Sequence, residues 1–278
     1  MHDAYDSYWS VVASAAALAL GWALLWSVPA LWARRNDLAD VAWGLTFPML
    51  ALLTGGVVVA PDPAAEPRAA CVVVLLLAWG MRLATHIARR MVGHDEDKRY
   101  AAQRSRWGGA WRLRSVIQVF LLQAVVALVV AQPVLIAASV HPRRTDLNVL
   151  DALALLLVVA GVLLETIADR QLARFVARKR AGEVDGYLTS GVWSWSRHPN
   201  YAGDALTWWG FGLFGVAAAL DLDAGWLVLP ALLGPAVMTA FLRWGSGVPM
   251  TERGRAGQPQ WDAYVARTSA FLPRPPRR

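Results

Sequence analysis

The stretch "VLDALALLLVVAGVLLETI", residues 149–167, is followed directly by "ADRQLARFVARKR", residues 168–180. The first part is nearly all apolar, and it has about the 20 residues that a helix needs to cross the hydrocarbon core of a bilayer. The second part carries an arginine at every fourth position, with Asp169 on the adjacent helical row. The stretch therefore predicts one helix that leaves a membrane with a charged end.

Six other stretches have a similar length and apolar character. Of the 278 residues, 56% are hydrophobic and 15 are Trp, a composition typical of a membrane protein. Short loops join the stretches, which predicts a single domain over residues 1–278. The fold class expected is all-α, a polytopic membrane protein with seven transmembrane helices. The seven predicted spans are Trp9–Trp32, Leu38–Ala60, Ala69–Ile87, Val116–Val140, Val149–Ile167, Tyr201–Leu220 and Gly225–Trp244.

The basic residues indicate an orientation. The net charge is +7, and Lys and Arg concentrate in segments 33–37, 88–115 and 168–200 and in the tail. The opposite loops hold only Arg68, Arg143 and Arg144. Because cytoplasmic loops carry an excess of Lys and Arg, this asymmetry predicts an N-terminus outside and a C-terminus inside. It also explains the basic charge without a nucleic-acid partner.

The chain start and the single cysteine narrow the possibilities further. "MHDAYDSYW", residues 1–9, is acidic and lacks a basic n-region, so we expect a retained first helix rather than a cleaved signal peptide. Cys71 lies alone inside a span, which excludes a disulfide or a cysteine metal site within the chain. No metal site is predicted. The polar residues concentrate on the cytoplasmic side, where we expect the functional site.

A glycine-rich motif lies in the sixth predicted span. "GFGLFG", residues 210–215, has the G-x-G-x-x-G spacing of a dinucleotide-binding fold. That function needs a strand before the motif and a helix that opens after it. Here the flanking sequence is one apolar helix, so these glycines are expected to permit close helix packing instead.

The segment "SRHPNYAGD", residues 196–204, places hydrogen-bonding groups at the start of the same span. Pro199 disfavours helix for the residue before it and suits the first helical position. Free backbone N–H groups beside Arg197 and His198 then form an anion site. Asn200 and Asp204 share a helical face and could bind sugar or amide groups. The alternative is a capped helix end with interfacial anchors.

Several stretches together resemble the DUF1295 branch of the steroid 5α-reductase family. They are "RRNDLADVAWGLTFP", "WGMRLATHIARRMVGHDEDKRY", "DRQLARF", "SRHPNYAGDALTWWGFGL", "GSGVPMTER" and "YVARTSAFLPR", in this order over about residues 34–275. The resemblance implies a seven-helix membrane fold that binds NADPH in a cavity facing the cytoplasm. It further implies reduction of the carbon–carbon double bond of an α,β-unsaturated ketone, in a steroid-like or related lipid.

The resemblance also implies positions for the cofactor. Asn200 and Asp204 match the family's pair near the nicotinamide, with Asp where the steroid enzymes have Glu. Arg174 or Arg178 would meet the adenosine phosphates. The full set implied for NADPH is Asp169, Arg174, Arg178, Arg197, His198, Asn200, Tyr201, Asp204 and Arg243. An Arg at a helix centre costs about 2.5–3.5 kcal/mol on insertion scales, so an anionic partner is expected for Arg243.

Catalysis requires a hydrogen-bond donor to the substrate carbonyl, where negative charge develops. The steroid enzymes use a Tyr supported by a Glu, but the third span here has no Tyr. The nearest candidate is Tyr100, supported by Asp40, provided that the two residues meet in the fold. Alternatives are an interfacial tyrosine and a helix-start acid near Arg34 and Arg35. His86 or water could donate the proton instead, and Gln123 could hydrogen-bond a substrate.

The same stretches are compatible with two other functions. Membrane methyltransferases that use S-adenosylmethionine, including those of isoprenylcysteine and phospholipids, share a similar "RHPxYxG" motif and a similar tail. Glu252 poised on a bound cation would favour the methyl donor, whereas a dense arginine cluster favours NADPH. A non-catalytic lipid-binding membrane protein is the third possibility. The location expected is a bacterial inner membrane, with the cofactor site facing the cytoplasm.

Overall fold

The computed structural model describes residues 2–55, 67–139 and 147–277, with side chains from residue 8 onward except at Ser139. The described residues form helices and turns, with one isolated bridge between Ser196 and Ser269. The α-helices are α1 (His2–Ala33), α2 (Leu38–Thr54), α3 (Pro67–Met91), α4 (Lys98–Trp107), α5 (Trp111–Ser115), α6 (Leu122–Val130), α7 (Gln132–Ser139), α8 (Val149–Arg180), α9 (Pro199–Asp221), α10 (Val228–Trp244), α11 (Val248–Glu252) and α12 (Pro259–Arg267). The prediction of an all-α, membrane-like fold is confirmed.

Within the described residues, five helical segments are long and apolar enough to cross a membrane: Tyr8–Ala33, Pro67–Met91, Lys98–Val130, Val149–Arg180 and Gly225–Glu252. The apolar helix Leu38–Thr54 is shorter. Helix α9 begins at Pro199, as predicted, because proline suits the first turn of a helix. The outer ends of the predicted spans Leu38–Ala60 and Val116–Val140 lie outside the described residues.

The fourth predicted span is not one uniform helix. A π-helical segment, Val116–Leu121, joins α5 to α6, and α6 ends at Val130. A new helix, α7, begins at Gln132. The break is explained by Pro133, which has no N–H to continue the backbone ladder and tolerates only the first turn of a helix.

The chain divides into two compact units, the first with residues 1–151 and 214–234 and the second with residues 152–213 and 235–278. In the first unit, α2 and α3 pack closely through glycines. A Cβ at Gly44 would lie 2.9 Å from the Ala84 Cα, and one at Gly80 would lie 2.4 Å from the Pro48 Cδ. Phe47 and Trp79 pack edge to face beside this contact, with ring centroids 5.2 Å apart. The glycines therefore bring the two helix backbones together.

A buried ion-pair cluster lies in the first unit. Arg68, predicted as a loop residue, occupies the first turn of α3 and is 4% exposed. Its guanidinium binds Asp151 at the start of α8 at 2.6 and 2.8 Å, and Asp221 at the end of α9 at 2.6 Å. The Asp151 carboxylate also accepts from the Asn148 backbone N–H at 2.9 Å. Arg68 therefore joins three helix ends rather than serving as a loop charge.

In the second unit, α8 and α9 pack through a glycine seam. A Cβ at Gly161 would lie 2.5 Å from the Thr207 N, and one at Gly203 would lie 2.7 Å from the Glu165 N. At Gly210 a Cβ would lie 2.8 Å from the Ala154 carbonyl oxygen. The "GFGLFG" motif lies wholly inside α9, so its predicted role in close helix packing is confirmed at Gly210.

Candidate functional site

The first unit contains a cluster that we call the tyrosine site: Asp40, Tyr100 and Gln123. Asp40 lies in the first turn of α2, and Tyr100 is the third residue of α4. The Tyr100 hydroxyl donates to the Asp40 Oδ1 at 2.7 Å. The Gln123 amide approaches the phenol oxygen at 3.5 Å. The structure thus brings together the two residues proposed for catalysis, and their roles stay predictions.

A polar network holds these residues in register. The Asn36 backbone N–H donates to the Glu96 Oε1 at 2.8 Å, and the Asp97 backbone N–H donates to the Asp37 Oδ2 at 3.1 Å. Arg104 bonds both Glu96 and the Arg34 carbonyl oxygen. These hydrogen bonds hold the segment before α2 next to the segment before α4. The contact between Asp37 and Asp97 lies three residues before Asp40 and Tyr100.

The N-terminus of α4 has its own cap, which fixes the helix direction. Asp97 is the N-cap, and its Oδ1 accepts from the Arg99 backbone N–H at 2.8 Å. Burial alone would raise the pKa of Asp97, but hydrogen bonds from the Arg99 side chain and backbone lower it below its usual range. Asp97 therefore stays ionised at neutral pH and fixes the start of the helix that carries Tyr100.

The cavity next to the tyrosine site is small and mainly apolar. Its volume is about 10 Å³, and Trp22, Trp43, Thr46, Phe120 and Gln123 are among its lining residues. Trp43 and Thr46 follow Asp40 on α2 and line this cavity. A volume of this size holds about one water molecule, so a lipid substrate requires the surrounding helices to move apart.

The second unit contains a cluster that we call the amide site: Asp169, Asn200 and Asp204. The Asn200 amide donates to the Asp169 Oδ1 at 3.3 Å, which joins α9 to α8. Asp169 and Asp204 are buried, as is Glu165 one turn before Asp169. The Asn200 Oδ1 is buried and accepts no hydrogen bond from the described residues. Such an atom retains the capacity to accept a bond from an amide of a ligand.

Arg197 and His198 form a second cluster with Glu252, which we call the arginine cluster. The Arg197 guanidinium binds the two Glu252 oxygens at 2.9 and 3.3 Å, and it donates to the Thr268 carbonyl oxygen at 2.6 Å. The His198 Nε2 lies 2.9 Å from the Glu252 Oε1. The predicted anion-binding residues therefore hold a carboxylate of the protein itself and the start of the tail.

Burial determines the charge state of this cluster. It lowers the pKa of His198 below its usual range, and the hydrogen bond to Glu252 offsets only part of that effect. At neutral pH the imidazole is neutral and its Nε2–H donates to Glu252. Tyr201, which also belongs to the implied cofactor set, stacks on the His198 ring with centroids 5.2 Å apart.

The remaining arginines of the implied cofactor set are dispersed. Arg174 and Arg178 are exposed on α8, and Arg178 pairs with Glu183 at 3.1 Å. Arg243 lies in the last turn of α10 beside the Trp244 ring, so the expectation of an arginine at a helix centre is wrong. A position at the helix end permits the side chain to extend towards a membrane surface.

Sequence reasoning missed the partners that hold the tyrosine site and the arginine cluster. No pattern in the sequence indicates that Glu96 and Asn36 bond each other, or that Glu252 binds Arg197 rather than a ligand cation. Their positions inside the stretches "GHDEDKRY", "RRNDLADVAWGLTFP" and "TER" were the available signal. No group of three or more His, Cys, Asp or Glu with the geometry of a metal site occurs in the part of the chain that the structure describes.

Comparison with known proteins gives a family but no named activity. An uncharacterized protein of Schizosaccharomyces pombe is 25% identical over 224 residues, which cover 72% of this chain and 62% of that protein. The chain thus spans under two thirds of the length of that relative. No solved structure matches the chain. Residues 25–268 match the family described as "Protein of unknown function (DUF1295)". The chain therefore belongs to the DUF1295 family, which is steroid 5α-reductase-like.

Proposed function

We propose that the protein is an NADPH-dependent membrane reductase of a conjugated carbon–carbon double bond in a steroid-like or other enone lipid. The observation that carries the proposal is the hydrogen bond between Tyr100 and Asp40, at 2.7 Å. A phenol oriented by a carboxylate is suited to stabilise the negative charge that develops on a carbonyl oxygen. The apolar residues around the adjacent cavity suit the rest of a lipid.

The single proton of the Tyr100 phenol limits how the tyrosine site can act. A phenol has one proton, and in the structure Tyr100 donates it to Asp40. To donate to a substrate ketone instead, the Tyr100 hydroxyl must rotate away from Asp40. A protonated Asp40 could then donate to the phenol oxygen in turn. Gln123, at 3.5 Å, is placed to support the phenol oxygen in either state.

We assign cofactor binding to the second unit. The cofactor would supply a hydride to the β-carbon of the enone while the π electrons move towards the carbonyl oxygen, and a proton from water would then reach the α-carbon. Asn200 fits a nicotinamide carboxamide, because its buried Oδ1 accepts no bond from the described residues and its Nδ2 is held by Asp169. Asp204 lies one turn further along α9. Arg174 and Arg178 would bind phosphates, with Arg243 as a further candidate.

Arg197, His198 and Tyr201 take a supporting role in this proposal. Their contacts with Glu252 and with each other position the N-terminus of α9, and so position Asn200. A backbone N–H at a helix start attracts an anion whether or not the neighbouring side chains do.

The membrane arrangement is part of the same proposal. Seven spans with the N-terminus outside would place the basic segments and the amide site on the cytoplasmic side, where NADPH is available. The arrangement is supported by the asymmetry of Lys and Arg along the sequence. A tag at the C-terminus should then report a cytoplasmic position, for example in a bacterial inner membrane.

A methyltransferase is the second candidate, and one contact weighs against it. Glu252, the residue suited to meet the positive sulfonium of S-adenosylmethionine, already accepts bonds from Arg197 and His198. Its carboxylate charge is balanced within the protein, so it offers less attraction to a ligand cation. This favours NADPH.

The test is a binding and turnover measurement on the full chain in detergent. NADPH and S-adenosylmethionine are titrated separately, and a 3-oxo-4-ene steroid and its saturated analogue are then supplied as lipids. We expect NADPH to bind and to be oxidised only with the enone, with product two hydrogen atoms heavier by mass spectrometry. Binding of S-adenosylmethionine alone would overturn the proposal.

A further inference from the structure

The C-terminal end of α12 and the tail form a basic cavity that the proposed reaction does not use. Its volume is about 360 Å³, and Arg267, Arg274 and Arg277 line it together with Thr268 and Ser269. We call it the tail cup. Every charged residue that lines it is an arginine, so the cup concentrates positive charge at one place on the second unit.

Backbone hydrogen bonds fix the shape of the tail cup. The Arg277 N–H donates to the Arg267 carbonyl oxygen at 2.9 Å, which folds the tail back onto the end of α12. The Arg274 N–H donates to the Trp195 carbonyl oxygen at 2.9 Å, and the Ser269 carbonyl oxygen accepts from the Arg197 N–H at 2.8 Å. The three arginine side chains therefore project from a backbone that is already ordered, which reduces the entropy cost of binding.

The donors of the tail cup are not used within the described residues. None of Arg267, Arg274 and Arg277 forms an ion pair with the described part of the chain, and the hydroxyls of Thr268 and Ser269 donate to no described acceptor. Three neighbouring cations repel each other unless an anion lies between them. Guanidinium groups and hydroxyls are the donors that phosphate oxygens prefer.

The surroundings of the cup indicate where the phosphate comes from. Trp195, whose carbonyl oxygen accepts from the Arg274 N–H, is 49% exposed, and Leu272, two residues from both Ala270 and Arg274, is 58% exposed. Val265, which lines the cup, is also exposed. Tryptophan and aliphatic side chains beside arginines are typical of a surface at the boundary between lipid headgroups and acyl chains.

We propose that the tail cup binds the phosphate of an anionic phospholipid headgroup, while Trp195 and Leu272 contact the adjoining acyl region. The charge of the cup selects an anionic lipid over a zwitterionic one. This proposal stands apart from the reductase activity, because none of the cup arginines is assigned to NADPH or to the enone.

The test uses the full chain in a neutral detergent, with short-chain phosphatidylglycerol and phosphatidylcholine as probes and lipid adducts counted by native mass spectrometry. Arg274→Gln with Arg277→Gln removes two cup charges from the exposed tail. Arg106→Gln with Arg114→Gln removes two exposed charges elsewhere and is the matched control. We expect the parent and the control to retain phosphatidylglycerol, and the cup variant to bind it at least about tenfold more weakly.

Three results would overturn the proposal. One is equal loss of phosphatidylglycerol in the cup variant and the control, which would indicate general attraction to charge. Another is equal retention of phosphatidylcholine and phosphatidylglycerol by the parent chain. The third is displacement of the lipid by millimolar inorganic phosphate or NADPH, which would assign the cup to a soluble phosphate.

Discussion

The tyrosine site and the amide site differ in how their hydrogen bonds are satisfied. In the tyrosine site the Tyr100 phenol donates to Asp40, and the Gln123 amide lies 3.5 Å from the phenol oxygen. The hydroxyl therefore has both a donor and an acceptor within the protein. In the amide site Asn200 uses its N–H on Asp169, and its buried carbonyl oxygen accepts nothing from the described residues. A hydroxyl with partners on the protein can exchange one of them for a substrate during a reaction. A buried carbonyl oxygen that accepts no hydrogen bond is instead suited to bind a ligand.

The two sites are also assembled differently. The tyrosine site joins residues 60 positions apart, and a network of loop contacts holds α2 and α4 side by side. The amide site lies on two neighbouring helices, α8 and α9, whose glycine seam sets their distance. We therefore expect substitutions in the first site to change the chemical step and substitutions in the second to change affinity.

The largest effect is expected for Tyr100→Phe. Loss of the phenol removes the donor to the substrate carbonyl, and a positioned acid is worth about 10²–10⁴-fold in rate. Single-turnover oxidation of NADPH with an enone lipid should slow by that factor, with NADPH affinity unchanged. Tyr187→Phe, far from this site in the sequence, serves as the control and should react at the parent rate. Equal rates in Tyr100→Phe and the parent would move the assignment to His86 or to water.

Substitutions of Asp40 test its role in the same single-turnover measurement. Asp40→Asn keeps a side chain that can donate an N–H to the phenol oxygen, as a protonated carboxyl would, whereas Asp40→Ala keeps none. A rate for Asp40→Asn well above that of Asp40→Ala would indicate that the acid carries a proton during the reaction. Equal losses in both variants would indicate that the charge of Asp40 is needed.

A smaller effect is expected for Asn200→Ala, on binding rather than on the chemical step. A buried amide that bonds a ligand contributes about 1–3 kcal/mol, so the dissociation constant for NADPH should rise about tenfold. The rate of hydride transfer at saturating NADPH should change little. Asn148→Ala removes an amide that caps α8 and should leave NADPH affinity unchanged. Normal NADPH binding by Asn200→Ala and by Asp169→Ala would contradict the cofactor assignment.

The smallest effect is expected from pH, through His198. Burial lowers its pKa in the folded protein, so the unfolded state binds a proton more readily. The contribution of neutral His198 to the free energy of unfolding is therefore full at a pH above its unfolded-state pKa of about 6.5. It declines as pH falls towards the lowered pKa of the folded state. Thermal unfolding at pH 7 and pH 5 measures this decline. His198→Gln cannot be protonated in this range, and its unfolding temperature should fall less between the two pH values.

Some features of the molecule followed from residue pattern alone. The apolar stretches predicted an all-α, membrane-like fold, since a span must satisfy its backbone hydrogen bonds internally. Pro199 predicted the start of α9, and the apolar flanks of "GFGLFG" predicted close packing rather than a nucleotide fold. These are local properties, and each depends on a few neighbouring residues.

Contacts between distant residues required the tertiary structure. No sequence pattern shows that Tyr100 meets Asp40, that Glu252 neutralises Arg197, or that Arg68 joins Asp151 and Asp221. Each of these pairs is separated by more than 50 residues, and its geometry depends on how closely the helices pack. The sequence determined where long apolar helices form and where charge accumulates. Only the packing, set by glycine contacts and loop hydrogen bonds, decided which polar side chains meet, because a hydrogen bond depends on a few tenths of an ångström.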